Sequence, residues 1–245
     1  MQNKKALILA RDGVTTRLLG QVIEKHYSEV TYLIEQAPSK WEVLKRRSKK
    51  IGWSKVFGQL AFLSLVLPFI KNKKRVSEII LNSGLNGNFE LNPNQHNLIN
   101  INDSIDHLDQ LEYDIVFVNG TRILSKELLS KISVPIINIH VGITPKYRGI
   151  HGGFWAIKNN DLENFGVTIH HVDSGIDTGK IIDQVRIKPT KEDNYSSYSI
   201  LQYVAAVKRL NELLNENKEF YLHTFKSPDL PSQLHYHPTI WQYLF

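Results

Sequence analysis

The 245-residue sequence contains no cysteine, which removes a whole class of chemistry. Without a thiol the chain forms no disulfide and uses no thiolate as nucleophile or metal ligand. The lack of disulfides fits a reducing compartment. Residues 1–13 hold only a short apolar run and no small-residue cleavage site, so we interpret them as the first strand of a cytoplasmic protein rather than a signal peptide.

Several common motifs are also missing. No G-x-G-x-x-G stands after a strand, so the nicotinamide fingerprint is absent. Neither C-x-x-C nor H-E-x-x-H spacing occurs, and the adjacent His170 and His171 would point to opposite faces of a strand. We therefore expect no catalytic metal. No nucleic-acid-binding motif is present, so we expect no nucleic-acid partner, and the net charge of +6 favours anionic ligands or surfaces in general.

Apolar runs and helical spacings alternate along most of the chain, which is typical of an α/β fold. Because buried parallel strands read as continuous apolar runs, we predict a doubly wound, Rossmann-like and mostly parallel sheet. The predicted strands are 5–10, 29–35, 98–101, 113–118, 134–140, 166–172 and 181–187, and the predicted helices are 14–23, 104–111, 125–131 and 194–217.

Residues 39–83, after the second predicted strand, differ from the rest of the chain. Basic residues with interspersed Trp surround a nearly all-apolar stretch at 59–70. A dozen apolar residues around Pro68 fall short of the ~20 that a membrane-spanning helix needs. The insertion could be a helical hairpin packed on the core or on a second subunit, which we favour. It could instead make a peripheral membrane contact through 39–75, or act as a mobile lid.

Polar residues gather at strand ends between Val134 and Gln184. The run 134–137 predicts a buried strand, and Asn138 and His140 at its end share one face. The carboxyl ends of strands carry the sites of open α/β sheets. A glycine-rich loop and a second strand follow, and the second strand leads to Asp177-Thr178-Gly179. The pattern therefore predicts a pocket at this edge.

Four motifs resemble those of the folate-dependent formyltransferases: Asn138-Ile139-His140, Pro145-Lys146-Tyr147-Arg148-Gly149, Gly166-Val167-Thr168-Ile169-His170 and Asp177-Thr178-Gly179. The likeness is strongest over 113–188. The sequences of these motifs are most similar to those of amino-sugar N-formyltransferases. They resemble those of glycinamide ribonucleotide formyltransferase more distantly. The resemblance implies a formyltransferase-type domain over 1–190, with the helical insertion inside it and a small C-terminal extension, 191–245, packed on it.

The resemblance also implies a reaction, the transfer of a formyl group from 10-formyltetrahydrofolate to a primary amine, with tetrahydrofolate as product. This reaction passes through a tetrahedral intermediate that carries an oxyanion. His140 suits proton transfer because the ordinary pKa of His is near ~6.5. Asn138 can donate to the oxyanion, and Asp177 can orient His140 or relay a proton. The resemblance assigns the same three roles.

Binding residues follow by position. For the folate, the resemblance indicates the backbone of the turn after the 113–118 strand and the loop after 166–172; the residues are Thr121, Arg122, Ile123, Leu124, Val172, Asp173, Ser174, Gly175 and Ile176. For the amine substrate, the candidates are Gly13, Thr15, Thr16, Tyr147, Arg148 and His151. Thr15 and Thr16 could equally cap a helix, and Arg148 could be a solvated loop charge.

The sequence leaves four functions open. The leading hypothesis is formylation of a nucleotide-linked amino sugar, a small-molecule amine. Glycinamide ribonucleotide is a second substrate hypothesis, although Arg11-Asp12-Gly13 stands where that enzyme has a Gly-Ser phosphate loop. A formyltetrahydrofolate hydrolase is a third possibility, and a non-catalytic folate- or sugar-binding protein docked through 39–83 is a fourth. The oligomeric state stays open, with a homodimer among the options.

Overall fold

The computed structural model describes residues 4–92 and 94–245, and these residues form a seven-stranded sheet in the order β3-β2-β1-β4-β5-β7-β8. A short second sheet pairs β6 with β9. The strands are β1 Lys5–Arg11, β2 Glu29–Glu35, β3 Gln95–Leu98, β4 Ile115–Asn119, β5 Ile136–His140, β6 Arg148–Gly149, β7 Gly166–His171, β8 Ile181–Arg186 and β9 Leu234–His235. The helices are α1 Val14–His26, α2 Lys40–Ile51, α3 Trp53–Ala61, α4 Leu67–Ile70, α5 Lys73–Asn82, α6 Ile105–Leu108, α7 Lys126–Lys131, α8 Gly152–Lys158, α9 Tyr195–Glu216 and α10 Ile240–Leu244.

The sheet is parallel from β3 through β5 and antiparallel at β7 and β8. Its central strands are continuous apolar runs because helices cover both faces. One face packs on α1, α5 and α9, and the other packs on α6 and α7. The prediction of a doubly wound, mostly parallel α/β sheet is confirmed. The carboxyl ends of β1, β4 and β5 share one edge, where the candidate site lies.

The predicted strand at 98–101 is wrong in its bounds, since β3 ends at Leu98. Ile101 instead begins a single turn of 3-10 helix that ends at Asp103. The side chain of Asn100 accepts a hydrogen bond from the backbone N–H of Asn102 at 3.2 Å, which favours the turn over an extended strand. Ile101 is fully buried against the core of this face. Ile101 is therefore apolar because it packs against the core from a turn, and not because it belongs to a strand.

The insertion after β2 is helical, as the sequence indicated. From Trp53 the helix runs without a break to Ile70, with a π turn at Phe62–Val66 between α3 and α4. By length and apolar composition this 18-residue run is sufficient to cross a membrane, and 22% of it is buried. The apolar stretch expected from the sequence, 59–70, is shorter than this run because it begins at Gln59 rather than at Trp53. The run packs on α9 and α10, and Phe62 lies in a third apolar cluster with Phe154 and Tyr195.

Candidate active site

The end of β5 and the loop after β7 bring three predicted catalytic residues together. His140 is the last residue of β5 and is 4% exposed, while Asn138 lies half-buried on the same face. Asp177 approaches from the loop, and its Oδ2 lies 3.4 Å from His140 Nδ1. The amide, imidazole and carboxylate that the sequence pointed to therefore form one cluster.

The hydrogen bonds of His140 define where a proton can be accepted. Its Nε2 lies 2.6 Å from the backbone oxygen of Tyr147, so Nε2 carries the proton and donates it to that carbonyl. In the neutral ring the lone pair is then on Nδ1, which faces the carboxylate of Asp177. A proton gained at Nδ1 would be held between the two groups.

The charges of this pair are set by burial and by each other. Burial lowers the pKa of His140 below its ordinary value; the Asp177 carboxylate and the Tyr147 carbonyl oppose this effect without reversing it. For Asp177, burial raises the pKa, but attraction to the protonated form of His140, the nearby His170 and a hydrogen bond from the Gly149 N–H outweigh it and bring the pKa to about 2. At neutral pH the pair is therefore a neutral imidazole beside an ionised carboxylate.

A backbone hydrogen bond fixes the position of Asp177. The N–H of Gly149 donates to Asp177 Oδ2 at 2.8 Å. Asp177 itself has a positive φ of 52°, a conformation that Asp tolerates better than most residues. Gly149 has a φ of 93°, and a Cβ there would lie 2.3 Å from the backbone oxygen of His235. Only glycine therefore lets β6 pair with β9 and still present its N–H to the carboxylate.

His170 is a further member of the cluster that the sequence analysis missed. It lies directly opposite Asn138 in the antiparallel pairing of β5 with β7. Its Nδ1 is 2.7 Å from the backbone oxygen of His171 and therefore carries a proton. Its Nε2 accepts from Asn138 Nδ2 at 3.2 Å and lies 3.7 Å from Asp177 Oδ1. The signal that could have found it is an antiparallel pairing of the predicted strands 134–140 and 166–172. That pairing puts the His170 side chain on the same face as Asn138.

One protein-family model matches most of the chain. The family model described as "Formyl transferase" matches residues 18–207, which is more than three quarters of the chain. The chain belongs to the formyl transferase family. The matched range contains the cluster of Asn138, His140, His170 and Asp177.

Curated relatives of this formyl transferase match about half of its chain. A methionyl-tRNA formyltransferase from Finegoldia magna is 30% identical over 125 residues, which are 50% of this chain and 40% of that protein. The bifunctional polymyxin resistance protein ArnA from Wigglesworthia glossinidia brevipalpis is 37% identical over 112 residues, which are 45% of this chain and 17% of that protein. The chain thus spans less than half the length of these curated relatives.

Solved structures show the same fold. A sugar N-formyltransferase from Shewanella sp has a TM-score of 0.56 and 17% identity, and the match covers 95% of this chain and 76% of the other. The phosphoribosylglycinamide formyltransferase from Streptococcus pneumoniae has a TM-score of 0.51 and 22% identity, over 87% and 98% of the two chains. At these identities the likeness concerns the fold alone.

Three predicted substrate residues of the formyl transferase lie just beyond β5. Tyr147 is buried and its hydroxyl donates to Asp161 at 2.8 Å, so it supports the loop from inside. Arg148 is half-buried and donates to the backbone oxygen of Ile176 at 3.1 Å, which connects it to the loop that carries Asp177. Arg148 is therefore not a fully solvated loop charge, and its binding of a substrate anion stays a prediction.

His151 turns away from the catalytic cluster. Its Nε2 lies 2.8 Å from the hydroxyl of Tyr195 and 2.9 Å from Nδ1 of His237 in the tail. Burial, and after it the charges of His237 and Arg47, lower the pKa of His151 to about 3. The insertion thus contributes Arg47 to a polar cluster that lies behind the active-site loop.

The other three predicted substrate residues lie at the amino end of α1. Gly13 is the N-cap and gives no side-chain cap. The hydroxyl of Thr16 donates to the backbone oxygen of Arg11 at 2.6 Å, and Asn119 donates to Thr15 and Thr16 at 3.1 and 2.8 Å. Thr16 is fully buried. These hydroxyls therefore join the ends of β1, β4 and α1, and neither of them caps the helix.

The predicted folate turn, Thr121 to Leu124, is organised by a buried carboxylate that the sequence analysis did not single out. Glu35 ends β2 with no exposed side-chain surface and binds the guanidinium groups of Arg122 and Arg11 at 2.7 and 3.0 Å. It also accepts the backbone N–H of Arg122 at 2.7 Å. Thr121 is half-buried, Leu124 is buried, and Ile123 is 63% exposed. The turn thus presents the exposed apolar side chain of Ile123, while Glu35 and Asn102 bond part of its backbone.

The second predicted folate segment, Val172 to Ile176, forms a compact loop. Asp173 Oδ1 accepts the backbone N–H of Gly175 at 2.9 Å and the hydroxyl of Thr178 at 2.7 Å, so its role here is to set the turn. A cavity of about 450 Å³ lies between α7 and the segment that holds Val172, Asp173 and Ser174. His140 and Asp177 do not line it. Apolar side chains such as Leu129 and Val172 line the cavity beside polar Ser130 and Ser174, and this mixture fits the flat, hydrogen-bonding ring of a pterin.

Proposed function

We propose that this protein transfers a formyl group from 10-formyltetrahydrofolate to a primary amine. The observation that carries the proposal is the 3.4 Å approach of Asp177 Oδ2 to His140 Nδ1, with Asn138 on the same strand face. The bound donor would supply the formyl carbon and an N10 leaving group. The residues Thr121 to Leu124 and Val172 to Ile176 would hold it.

The pair of His140 and Asp177 provides the base. The amine attacks the formyl carbon and gives up a proton, which His140 accepts at Nδ1. The imidazolium that forms is balanced by Asp177, whose pKa of about 2 keeps it ionised. The same proton then passes to N10 as the C–N10 bond breaks, so one imidazole acts first as base and then as acid.

Asn138 supports the oxyanion. Nδ1 of His170 donates to the backbone oxygen of His171, so Nε2 of His170 is an acceptor. The Asn138 side chain therefore directs its NH₂ group, not its oxygen, toward His170. One N–H of Asn138 binds His170 and the second remains to donate to the oxyanion. Removing such a donor typically costs about 3–4 kcal/mol of barrier.

The substrate class we favour is a nucleotide-linked amino sugar. The support is the wording of the motifs around Arg148 to His151 and Gly166 to Gly179, which is most similar to amino-sugar N-formyltransferases. Glycinamide ribonucleotide fits less well. Arg11-Asp12-Gly13 stands where glycinamide ribonucleotide formyltransferase has a Gly-Ser phosphate loop, and the Asp12 carboxylate there pairs with Arg17 at 2.8 Å.

A methionyl-tRNA amine is a second candidate. It is favoured by the 30% identity over 125 residues with a protein that carries that name. The basic insertion would add affinity for any polyanion. We rank it second because the chain contains no nucleic-acid-binding motif.

One assay tests the proposal and separates the candidates. The purified protein is incubated with 10-formyltetrahydrofolate and, in separate reactions, with amino-sugar nucleotides, glycinamide ribonucleotide or methionyl-tRNA. We expect tetrahydrofolate release that depends on an amino-sugar nucleotide, with the formamide product found by mass spectrometry. Release that needs no amine would identify a hydrolase. Tight binding of the donor without turnover for any amine would contradict an enzyme.

A further inference from the structure

The helical run Trp53–Ile70 has apolar side chains on two opposite faces. Val56 and Phe62 are buried on the fold side, and Gly58 lies so close to Thr239 that a Cβ would come within 2.9 Å. The other side exposes apolar residues that we call the docking face: Trp53 (48% exposed), Phe57 (63%), Leu60 (38%), Leu65 (62%) and Phe69 (87%). Such a helix is half core and half uncovered hydrophobic surface.

The π turn at Phe62–Val66 keeps the docking face continuous. Trp53, Phe57 and Leu60 follow α-helical spacing. In a π turn five residues make about one turn, so the step from Leu60 to Leu65 stays in line with them. Phe69 follows one α-helical turn later. The exposed side chains therefore form one stripe along the whole run.

The charge around this stripe indicates what covers it. Residues 40–75 hold 11 of the chain's 30 Lys and Arg but only one of its 24 Asp and Glu, so this segment carries +10 while the rest of the chain carries −4. The lysines just past the stripe, Lys71, Lys73 and Lys74, are exposed. Apolar side chains bordered by exposed cations match an anionic lipid surface, which has acyl chains beneath negative headgroups.

Other occupants fit less well. A second copy on the same face would bring two +10 segments together, and like charges oppose this contact. Nucleic acid would use the cations but gain nothing from burying Leu65 and Phe69.

A helix that crosses the bilayer conflicts with its polar connections to the fold. Gln59 donates to the backbone oxygen of His237 at 2.7 Å, Asn194 donates to that of Ile70 at 2.9 Å, and Arg75 binds Asp193 at 2.8 Å. These contacts hold the middle and the carboxyl end of the run on the protein.

We propose that the docking face binds the headgroup region of an anionic membrane leaflet, with the helix lying parallel to the surface. The helix is already folded and held, so binding needs no ordering of the segment. The neighbouring α10 packs on α3, and it exposes Trp241 and Leu244, while Phe245 just after it is also exposed. The proposal is independent of which amine the enzyme formylates.

Vesicle co-sedimentation tests this proposal. The full-length protein is mixed at low salt with vesicles of phosphatidylcholine alone or with roughly a third phosphatidylglycerol. We expect binding to the anionic vesicles that weakens with added salt. Phe57→Ser/Leu65→Ser/Phe69→Ser and, separately, Lys71→Glu/Lys73→Glu/Lys74→Glu should each bind roughly tenfold more weakly or worse, because apolar burial and charge both contribute.

Two matched variants serve as controls. Leu162→Ser/Leu222→Ser removes apolar side chains that are 56% and 65% exposed elsewhere, and Lys188→Glu/Lys191→Glu reverses exposed charges outside the insertion. Both should bind vesicles as the wild type does, and circular dichroism confirms that every variant is folded.

Three outcomes would overturn the proposal. The first is that the wild type stays in the supernatant with anionic vesicles at low salt. The second is that the test variants sediment like their controls. The third is that the wild type binds no vesicles but forms a dimer, and that the apolar variant dissociates this dimer.

Discussion

In the proposed mechanism His140 accepts a proton at Nδ1, and we expect this step to set the pH dependence of the reaction. Burial lowers its pKa, so the neutral form persists below the ordinary value of ~6.5. Asp177, with a pKa of about 2, stays ionised over the same range. We expect kcat/KM to stay constant from about pH 8 down to about pH 6.5 and to fall only below it. A stopped-assay pH profile measures this, and a fall that begins near pH 7.5 would contradict the assignment.

The adjacent histidines of β7 make a matched pair for testing the role of His170. His170 contacts Asn138 and Asp177, while His171 turns to the backbone oxygen of Tyr221 at 2.8 Å. His170→Asn should lower kcat about 10–100-fold, because Asn138 and Asp177 lose a partner that orients them. His171→Asn should leave kcat within about threefold. Equal losses in the two variants, with normal folding, would show that His170 is merely structural.

At the scale of elements, Glu35 links β2, β1 and the turn after β4. Its carboxylate is fully buried and meets Arg11, Arg122 and the backbone N–H of Ile101. Glu35→Gln should lower the free energy of unfolding by about 3 kcal/mol, since two guanidinium groups lose their anion. It should also raise the KM for the formyl donor.

A control for Glu35 lies at the other end of the same strand. Glu29 pairs with Lys5 in solvent, and Glu29→Gln should change stability by less than about 1 kcal/mol. Urea denaturation measures both variants. A Glu35→Gln protein as stable as the Glu29→Gln protein would show that the buried carboxylate does not hold the turn.

The elements differ in how far the sequence predicts them. β1, β2 and β4 are continuous apolar runs buried on both faces, so local pattern and final structure agree. The sequence predicts that Asn138, His140 and Asp177 lie close together, because strand ends and a motif bring them to one edge of the sheet. Glu35 and His170 were not singled out, because their roles come from cross-strand neighbours that local spacing does not give.

The insertion shows a different limit. An apolar helix in a sequence is most often core, and local pattern cannot tell a buried face from an uncovered one. Only the fold shows that Val56 and Phe62 are covered while Phe57 and Phe69 are exposed.

The whole molecule should lose stability in mild acid because it buries neutral histidines. Burial lowers the pKa of His151 to about 3 and that of His237 to about 4. Below the ordinary ~6.5 the unfolded chain takes up protons that the folded chain does not. Stability is therefore full above about pH 6.5 and falls toward about pH 4, by up to roughly 1.4 kcal/mol per pH unit for each histidine.

Urea denaturation at several pH values tests this origin of acid sensitivity. His237→Gln should flatten the decline between about pH 6.5 and about pH 4. His223→Gln, which changes an exposed histidine, should not alter the slope. A wild type whose stability is the same at both ends of this range would contradict neutral burial of the two rings.

In the proposed mechanism Asn138, His140 and Asp177 act together on one formyl carbon. The most direct measurement is tetrahydrofolate release by His140→Ala and by Asp177→Asn, with the amine that the panel identifies and with donor binding measured in parallel. We expect each variant to lose turnover by about 10²–10⁴-fold while donor affinity changes less than about threefold. Turnover within tenfold of the wild type in His140→Ala would contradict the claim.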